Sequence, residues 1–251
     1  MNILYEGTLK QIGQPFKVTS LSSEHTEQLL SVQDDVIEAL ENKENLQPLT
    51  LEEFQNILSG NGLMIGAFVD ERLIAFRALL VPPIDEEHLG LDIGLTGEEL
   101  ERVIYQEVSN VHPLYQGNGL QKILAKVIME QLKQADHNYE YVCCTVAPFN
   151  IPSLKDKFTQ GMEIAALKEK YSDRLRYVFV KELQGEGQKK WVNVERLLMR
   201  DIARQKRLLA EEYRGYEMEF CDAEYWVWFG KYNNNSPFSN SIFNKKVNLN
   251  L

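Results

Sequence analysis

Residues 111–121 read VHPLYQGNGLQ, and how they are read decides the fold. Gly117 and Gly119 stand between a strand-like run, RVIYQEVSNV at 102–111, and a helical run in which Leu120, Ile123, Leu124, Val127, Ile128 and Leu132 share one face. Glycines in that place make either a tight turn or a cradle for phosphate. A helix N-terminus presents unpaired N–H groups and a partial positive charge, and glycine lets the backbone approach a pyrophosphate closely. Gln116, Gly117, Asn118, Gly119, Leu120 and Gln121 are therefore the candidate phosphate-cradling residues. Taken alone, the stretch favours the turn; its surroundings have to decide.

Upstream, FKVTSL at 16–21 reads as a strand and SSEHTEQLLSVQDDVIEAL as a helix opened by capping serines. TLEE begins a second helix, since Thr50 and Glu53 form a capping box. GLMIGAFVDERLIAFRALLVP gives two strands joined at DER. The connection at 82–101 carries Asp85, Glu86, Glu87, Asp92, Glu98, Glu99 and Glu101 and no Lys or Arg. A plain solvated loop explains it as well as attraction of a cationic amine does. Downstream of the glycines, YEYVCCTVAP is a buried-type strand, NIPSLKDKFTQG a short helix closed by Gly161, and EIAALKEKYSDRLRYVFVKEL a hairpin turning at SD.

QGEGQKK at 184–190 reads as a linker. Beyond it, residues 191–215 hold an amphipathic helix ending near Gly215, and YEMEFCDAEYWVWFGKY is a second hairpin, expected to pack through Trp191, Trp226, Trp228 or Phe229. The chain thus divides into 1–184, an α/β domain; 185–232, a small helix-plus-hairpin appendage; and 233–251, an Asn- and Ser-rich tail expected to be disordered.

With 251 residues, 44% of them apolar, the chain is long enough to bury a sizeable core. A net charge of −10 argues against nucleic acid or an anionic membrane as partner, because phosphate surfaces demand clustered Lys and Arg. No apolar run has the length of a membrane span. Cys143, Cys144 and Cys221 make no metal spacing, and no HExxH occurs, so no metal site is expected. The sparse cysteines and an N-terminus without a basic head and apolar stretch lead to a cytoplasmic expectation. A nucleotide-binding α/β fold using ATP or NAD fits poorly, since neither GxGxxG nor GxxxxGK[ST] is present.

VHPLYQGNGLQ after YQEVSN resembles the acyl-CoA pyrophosphate loop of the GNAT superfamily of N-acyltransferases: Arg or Gln, two residues, Gly, one residue, then Gly or Ala. Gln116, Gly119 and Gln121 fall on that frame, with Val111 and Pro113 as the residues that commonly precede it. VAPFNIPSLKDKFTQGMEI matches the second motif through Asn150, Ser153 and Gly161, and the element order agrees over residues 16–181. The resemblance implies a GNAT-type mixed, largely antiparallel sheet flanked by helices, with the C-terminal α+β appendage added. It implies acetyl-CoA as cosubstrate and direct attack by a primary amine in a ternary complex, the acceptor being a small molecule or a peptide.

By that resemblance Asn110 and Val111 pair their backbone with the pantetheine arm and the thioester carbonyl, Asn150 and Ser153 meet the cofactor, and Glu107 is the carboxylate placed to take the amine's proton. A helix cap at Asn150 and a strand-edge surface role at Glu107 are the plain alternatives. The sequence departs from the family at Gln121, where Gly or Ala is preferred. It departs again at Lys157, a position often Tyr, where a solvated lysine is expected, and at Met162, often Phe. These departures support a second reading, a non-catalytic GNAT-like module whose appendage makes a homodimer or binds a partner.

Overall fold

The computed structural model describes residues 2–43, 46–171, 173–184 and 190–233. The tail beyond 233 and most of the 184–190 linker lie outside the described residues. In chain order the strands are β1 (Ile3–Thr8), β2 (Pro15–Ser20), β3 (Gly62–Val69), β4 (Arg72–Leu80), β5 (Val103–Val111) and β6 (Tyr141–Val146). There follow β7 (Glu163–Lys170), β8 (Arg174–Glu182), β9 (Trp191–Leu198), β10 (Arg214–Cys221) and β11 (Glu224–Tyr232). The helices are α1 (Thr26–Ala39), α2 (Leu51–Leu58), α3 (Leu89–Asp92), α4 (Leu120–Gln134), α5 (Ile151–Thr159) and α6 (Ile202–Ala210). The chain forms two compact units, Met1–Pro82 with Ile104–Asn138, and Pro83–Val103 with Tyr139–Leu251.

In the first unit β1 to β5 lie side by side in sequence order, every neighbour antiparallel. β1 is an addition to the expected order. Its burial alternates only weakly, as befits an edge strand with water on one side, and the sequence pattern therefore did not announce it. α2 starts where the capping box places it: the Glu53 N–H donates to Thr50 Oγ1 at 3.2 Å and the Thr50 N–H to Glu53 Oε2 at 2.7 Å. Leu29 and Val32 of α1, Phe54 and Ile57 of α2, and Phe76, Ala78 and Val108 of the sheet form one core layer, with the Phe54 and Phe76 rings edge to face at 5.7 Å. Because strand side chains alternate, Arg77 points to the opposite face. There, fully buried, its Nη2 donates to Gln106 Oε1 at 2.7 Å and its Nη1 to the Gln121 carbonyl, in the first turn of α4, at 3.4 Å.

In the second unit the order is β6-β8-β7-β10-β11-β9, again antiparallel throughout. Cys143 and Cys144 are buried in β6 as thiols rather than in a disulfide, and serve as small apolar residues. The C-terminal elements continue this sheet, β10 meeting β7 where Gly215 lies opposite Ile164. Buried polar bonds fix the junction: Tyr232 donates to the Glu163 carboxylate, Arg214 Nη1 to the Ala165 carbonyl at 3.1 Å, and Tyr177 Oη to Gln205 Oε1 at 2.7 Å. Of the aromatics expected to anchor this piece, Phe229 is fully buried. Trp191 instead stacks between Tyr216 and Tyr232, and Trp226 carries the Arg196 guanidinium 4.3 Å above its ring.

Residues 191–215 contain a strand before the helix, and the helix stops at Ala210. Pairing of β9 with β11 overrides a local pattern that runs without a break into the helical one. The acidic connection is also structured. It holds α3 and a 3-10 turn over Gly97–Arg102, and two of its acids, Glu87 and Asp92, face lysines of its own unit. Asp92 pairs with Lys168 at 2.5 Å and with the buried Lys170 at 3.0 Å, and Glu87 reaches Lys170 at 3.2 Å.

Candidate active site

β5 carries the first part of the site. Ala78 pairs with Val108 and Leu79 with Gln106, so Glu107 is an extra residue, a β-bulge, on β5. A bulge breaks the ladder locally and re-aims side chains, which is why bulges gather beside active sites. Glu107 is partly buried, and burial together with the neighbouring Glu53 carboxylate pushes its carboxyl up to about 7. A carboxyl poised there exchanges a proton readily near neutral pH. Further along the strand the Asn110 Nδ2 and Ser109 Oγ atoms are buried and make no hydrogen bond among the described residues. Such orphaned polar atoms in a native fold suit a site where a polar ligand docks.

After Val111 the chain makes a 3-10 turn over Pro113–Tyr115, capped by His112, whose Nδ1 accepts the Leu114 N–H at 3.2 Å. His112 Nε2 lies between the Asp35 carboxylate at 3.3 Å and the Arg72 guanidinium at 2.8 Å. Burial, then Arg72, lowers its pKa, so His112 is a neutral anchor for the loop. Gly117 and Gly119 follow with φ of 79° and 78°, a left-handed conformation that L side chains adopt at a cost.

Gly119 is the N-cap of α4 and brings no side chain to accept the first-turn N–H groups. A Cβ added there would meet no atom within 4 Å. An anion therefore has a clear approach to the helix N-terminus, and Gln121 offers it a backbone N–H whatever its side chain. Asn118 is buried and spends its side chain on the loop itself. Its Nδ2 donates to the Tyr115 carbonyl at 3.0 Å and its Oδ1 accepts the Gln11 N–H at 2.9 Å. Gln116 folds back towards the Val111 carbonyl at 3.4 Å.

Glu107, Asn110, Val111 and residues 116–121 thus belong to one compact unit, while Asn150 and Ser153 belong to the other. Asn150 is the N-cap of α5, its Oδ1 accepting the Ser153 N–H at 3.3 Å. Lys157, expected in solvent, is buried and paired with Asp156 at 3.3 Å. Met162, at 1% exposure, fills core space as Phe would. Sequence reasoning missed Gln11, Glu53 and Arg77. The last two stand on elements it did identify, but only the three-dimensional fold brings them to Glu107 and to the first turn of α4. Among the described residues no cluster suits a metal ion, and no helix is long and apolar enough to cross a membrane.

The chain has the fold of the GNAT acetyltransferases. It superimposes on the ribosomal-protein-S18-alanine N-acetyltransferase of Escherichia coli with a TM-score of 0.51 at 14% identity, over 70% of this chain and 99% of that one. A probable acetyltransferase from Staphylococcus epidermidis gives 0.52 at 16%, over 67% and 99%. The GNAT domain of S. lividans PAT gives 0.50 at 15%, over 71% and 96%. At these identities the likeness is one of fold. No family model matches the chain, and no curated protein matches it in sequence.

Proposed function

We propose that the protein is an acetyl-CoA-dependent N-acetyltransferase that acts on a primary amine by direct attack in a ternary complex, with Glu107 as general base. The observation that carries this reading is the carboxyl at about 7 on a strand bulge, in the strand that leads to a glycine-built, uncapped helix N-terminus. Acetyl-CoA supplies an acetyl group activated as a thioester.

An alkyl amine with an unperturbed pKa of about 10 is protonated near neutrality and has no lone pair to attack with. Glu107, as carboxylate, takes that proton directly or through water. The N–C bond then forms as the C–S bond breaks, and the proton that the acylated nitrogen sheds in becoming a neutral amide converts the leaving thiolate to the free thiol. The Val111 backbone lines the reacting carbonyl, and residues 116–121 hold the pyrophosphate on the N-terminus of α4. Asn110 Nδ2 is assigned to the pantetheine arm.

Glu87 and Asp92 are occupied by Lys168 and Lys170, so the acidic connection gives little support to a cationic acceptor. The Glu53 and Glu107 carboxylates support one better.

The test is release of free thiol from acetyl-CoA across a panel of amines, with binding followed by calorimetry. Absence of binding sinks the reading. Gly117→Val introduces a β-branched residue at φ 79°, and its Cβ would fall 2.5 Å from Gln11 Nε2. Strain of about 1–3 kcal/mol follows, and acetyl-CoA affinity is expected to fall roughly 10- to 100-fold. Wild-type affinity in that variant would remove the loop from the cofactor site. The non-catalytic reading draws on one observation: Lys157, where the family often has its acid, is buried against Asp156. It expects acetyl-CoA binding without thiol release for any amine.

A further inference from the structure

The turn between β1 and β2 lies outside the stretch that resembles the GNAT core, yet it is tied to the glycine loop. The Gln11 N–H donates to Asn118 Oδ1 at 2.9 Å across a separation of 107 residues. The Gln11 carboxamide rests on Gly117: a Cβ built there would lie 2.5 Å from Nε2, 3.2 Å from Cδ and 3.4 Å from Oε1. The amide therefore occupies the space that a side chain at 117 would fill. It is exposed and makes no hydrogen bond among the described residues.

The turn that presents it is closed on itself. The Leu9 N–H donates to the Gln14 carbonyl at 2.9 Å, the Gly13 N–H to the Leu9 carbonyl at 2.8 Å, and the Leu9 side chain is buried at 1% exposure. The backbone of Gln11 is thus held in place before any ligand arrives, so only its side chain has to be ordered on binding.

We infer that Gln11 is a further ligand-binding residue, whose side-chain NH2 donates to a phosphate oxygen of the pyrophosphate held by residues 116–121. The inference rests on the acyl-CoA reading above. Its chemistry is simple. A neutral carboxamide costs little to leave in water when the loop is empty, and it offers a hydrogen bond to an anionic oxygen when the loop is filled. With the α4 N–H groups on one side and Gln11 on the other, the phosphate is gripped from two directions by groups without net charge. That fits a chain whose cradle, residues 116–121, contains no Lys or Arg.

Two substitutions separate ligand contact from a structural role, because both keep the Gln11 backbone N–H bonded to Asn118. Gln11→Ala is expected to weaken acetyl-CoA binding in calorimetry by about 10-fold, the loss of one hydrogen bond to a charged group. Gln11→Glu, which puts a like charge against the phosphate, is expected to weaken it further. The thermal midpoint of the unliganded protein stays unchanged in both. S-acetyl-pantetheine, which has no phosphate, is expected to react with the same kcat/KM in wild type and Gln11→Ala. If wild type binds acetyl-CoA and Gln11→Ala binds it equally well, the inference is overturned while the proposed function stands. Equal losses for both acyl donors, or a lowered thermal midpoint, also overturn it by making Gln11 a structural strap. Failure of wild type to bind acetyl-CoA overturns both.

Discussion

Glu107→Gln is expected to bind acetyl-CoA as wild type does and to lose turnover by roughly 10²- to 10⁴-fold, the usual worth of a positioned general base. The isosteric amide keeps the bulge and removes only the proton acceptor. In wild type the base must be ionised, so kcat/KM rises with pH through about 7, where burial and Glu53 hold the Glu107 carboxyl. Removing one of the two causes, in Glu53→Gln, is expected to move that limb to lower pH. A variant Glu107→Gln with full turnover, or a wild-type profile flat through neutrality, would end the assignment.

The same shift has a sign for stability. Glu107 binds its proton more tightly folded than unfolded, where it titrates near 4.5. The folded state therefore holds more protons between about 4.5 and about 7. The contribution of this group to stability falls as pH rises through that window and is level above it. Glu107→Gln is expected to flatten that part of the urea stability profile.

The second large effect is on folding. Asp92 and Lys170 face each other with side-chain exposures of 5% and 8%. Asp92→Ala leaves the Lys170 ammonium in a desolvated place with only the exposed Glu87 to answer it. A loss of about 3 kcal/mol in urea unfolding is expected, at the low end for breaking a buried ion pair because Glu87 remains. The double variant Asp92→Ala with Lys170→Met is expected to recover part of it, since no buried charge is then left over. A single variant as stable as wild type would show the pair to be solvated.

What could be read from the sequence was what is written locally. Thr50 and Glu53 announce the start of α2 because a capping box lies within one turn, and Gly117 and Gly119 announce a backbone that only glycine takes easily. The hairpin of β3 and β4 and that of β7 and β8 follow from apolar runs with turn residues between them. The bulge at Glu107 was invisible, because register belongs to two strands and no single strand encodes it. Gln11 was invisible for a similar reason: nothing near residue 11 says what residue 118 will need. The local pattern of β9 runs on into the following helix because Leu197, and Met199 just beyond the strand, bury themselves only once β11 is beside them. The acids of 82–101 looked unattended because Lys168 and Lys170, which neutralise Asp92 and Glu87, lie more than 70 residues further along the chain.

The polar bonds that join β7 and β8 to the C-terminal strands and α6 bear on what happens when the polypeptide is cut. Tyr232 reaches back across 69 residues to Glu163, Arg214 to Ala165, and Gln205 to Tyr177. A cleavage site engineered between 184 and 190 would sever the backbone without breaking any of these. The two fragments are expected to separate on a denaturing gel and to migrate together on a native one. The C-terminal fragment would then behave as a bound subunit, and a titration in urea would report its affinity for the rest of the chain.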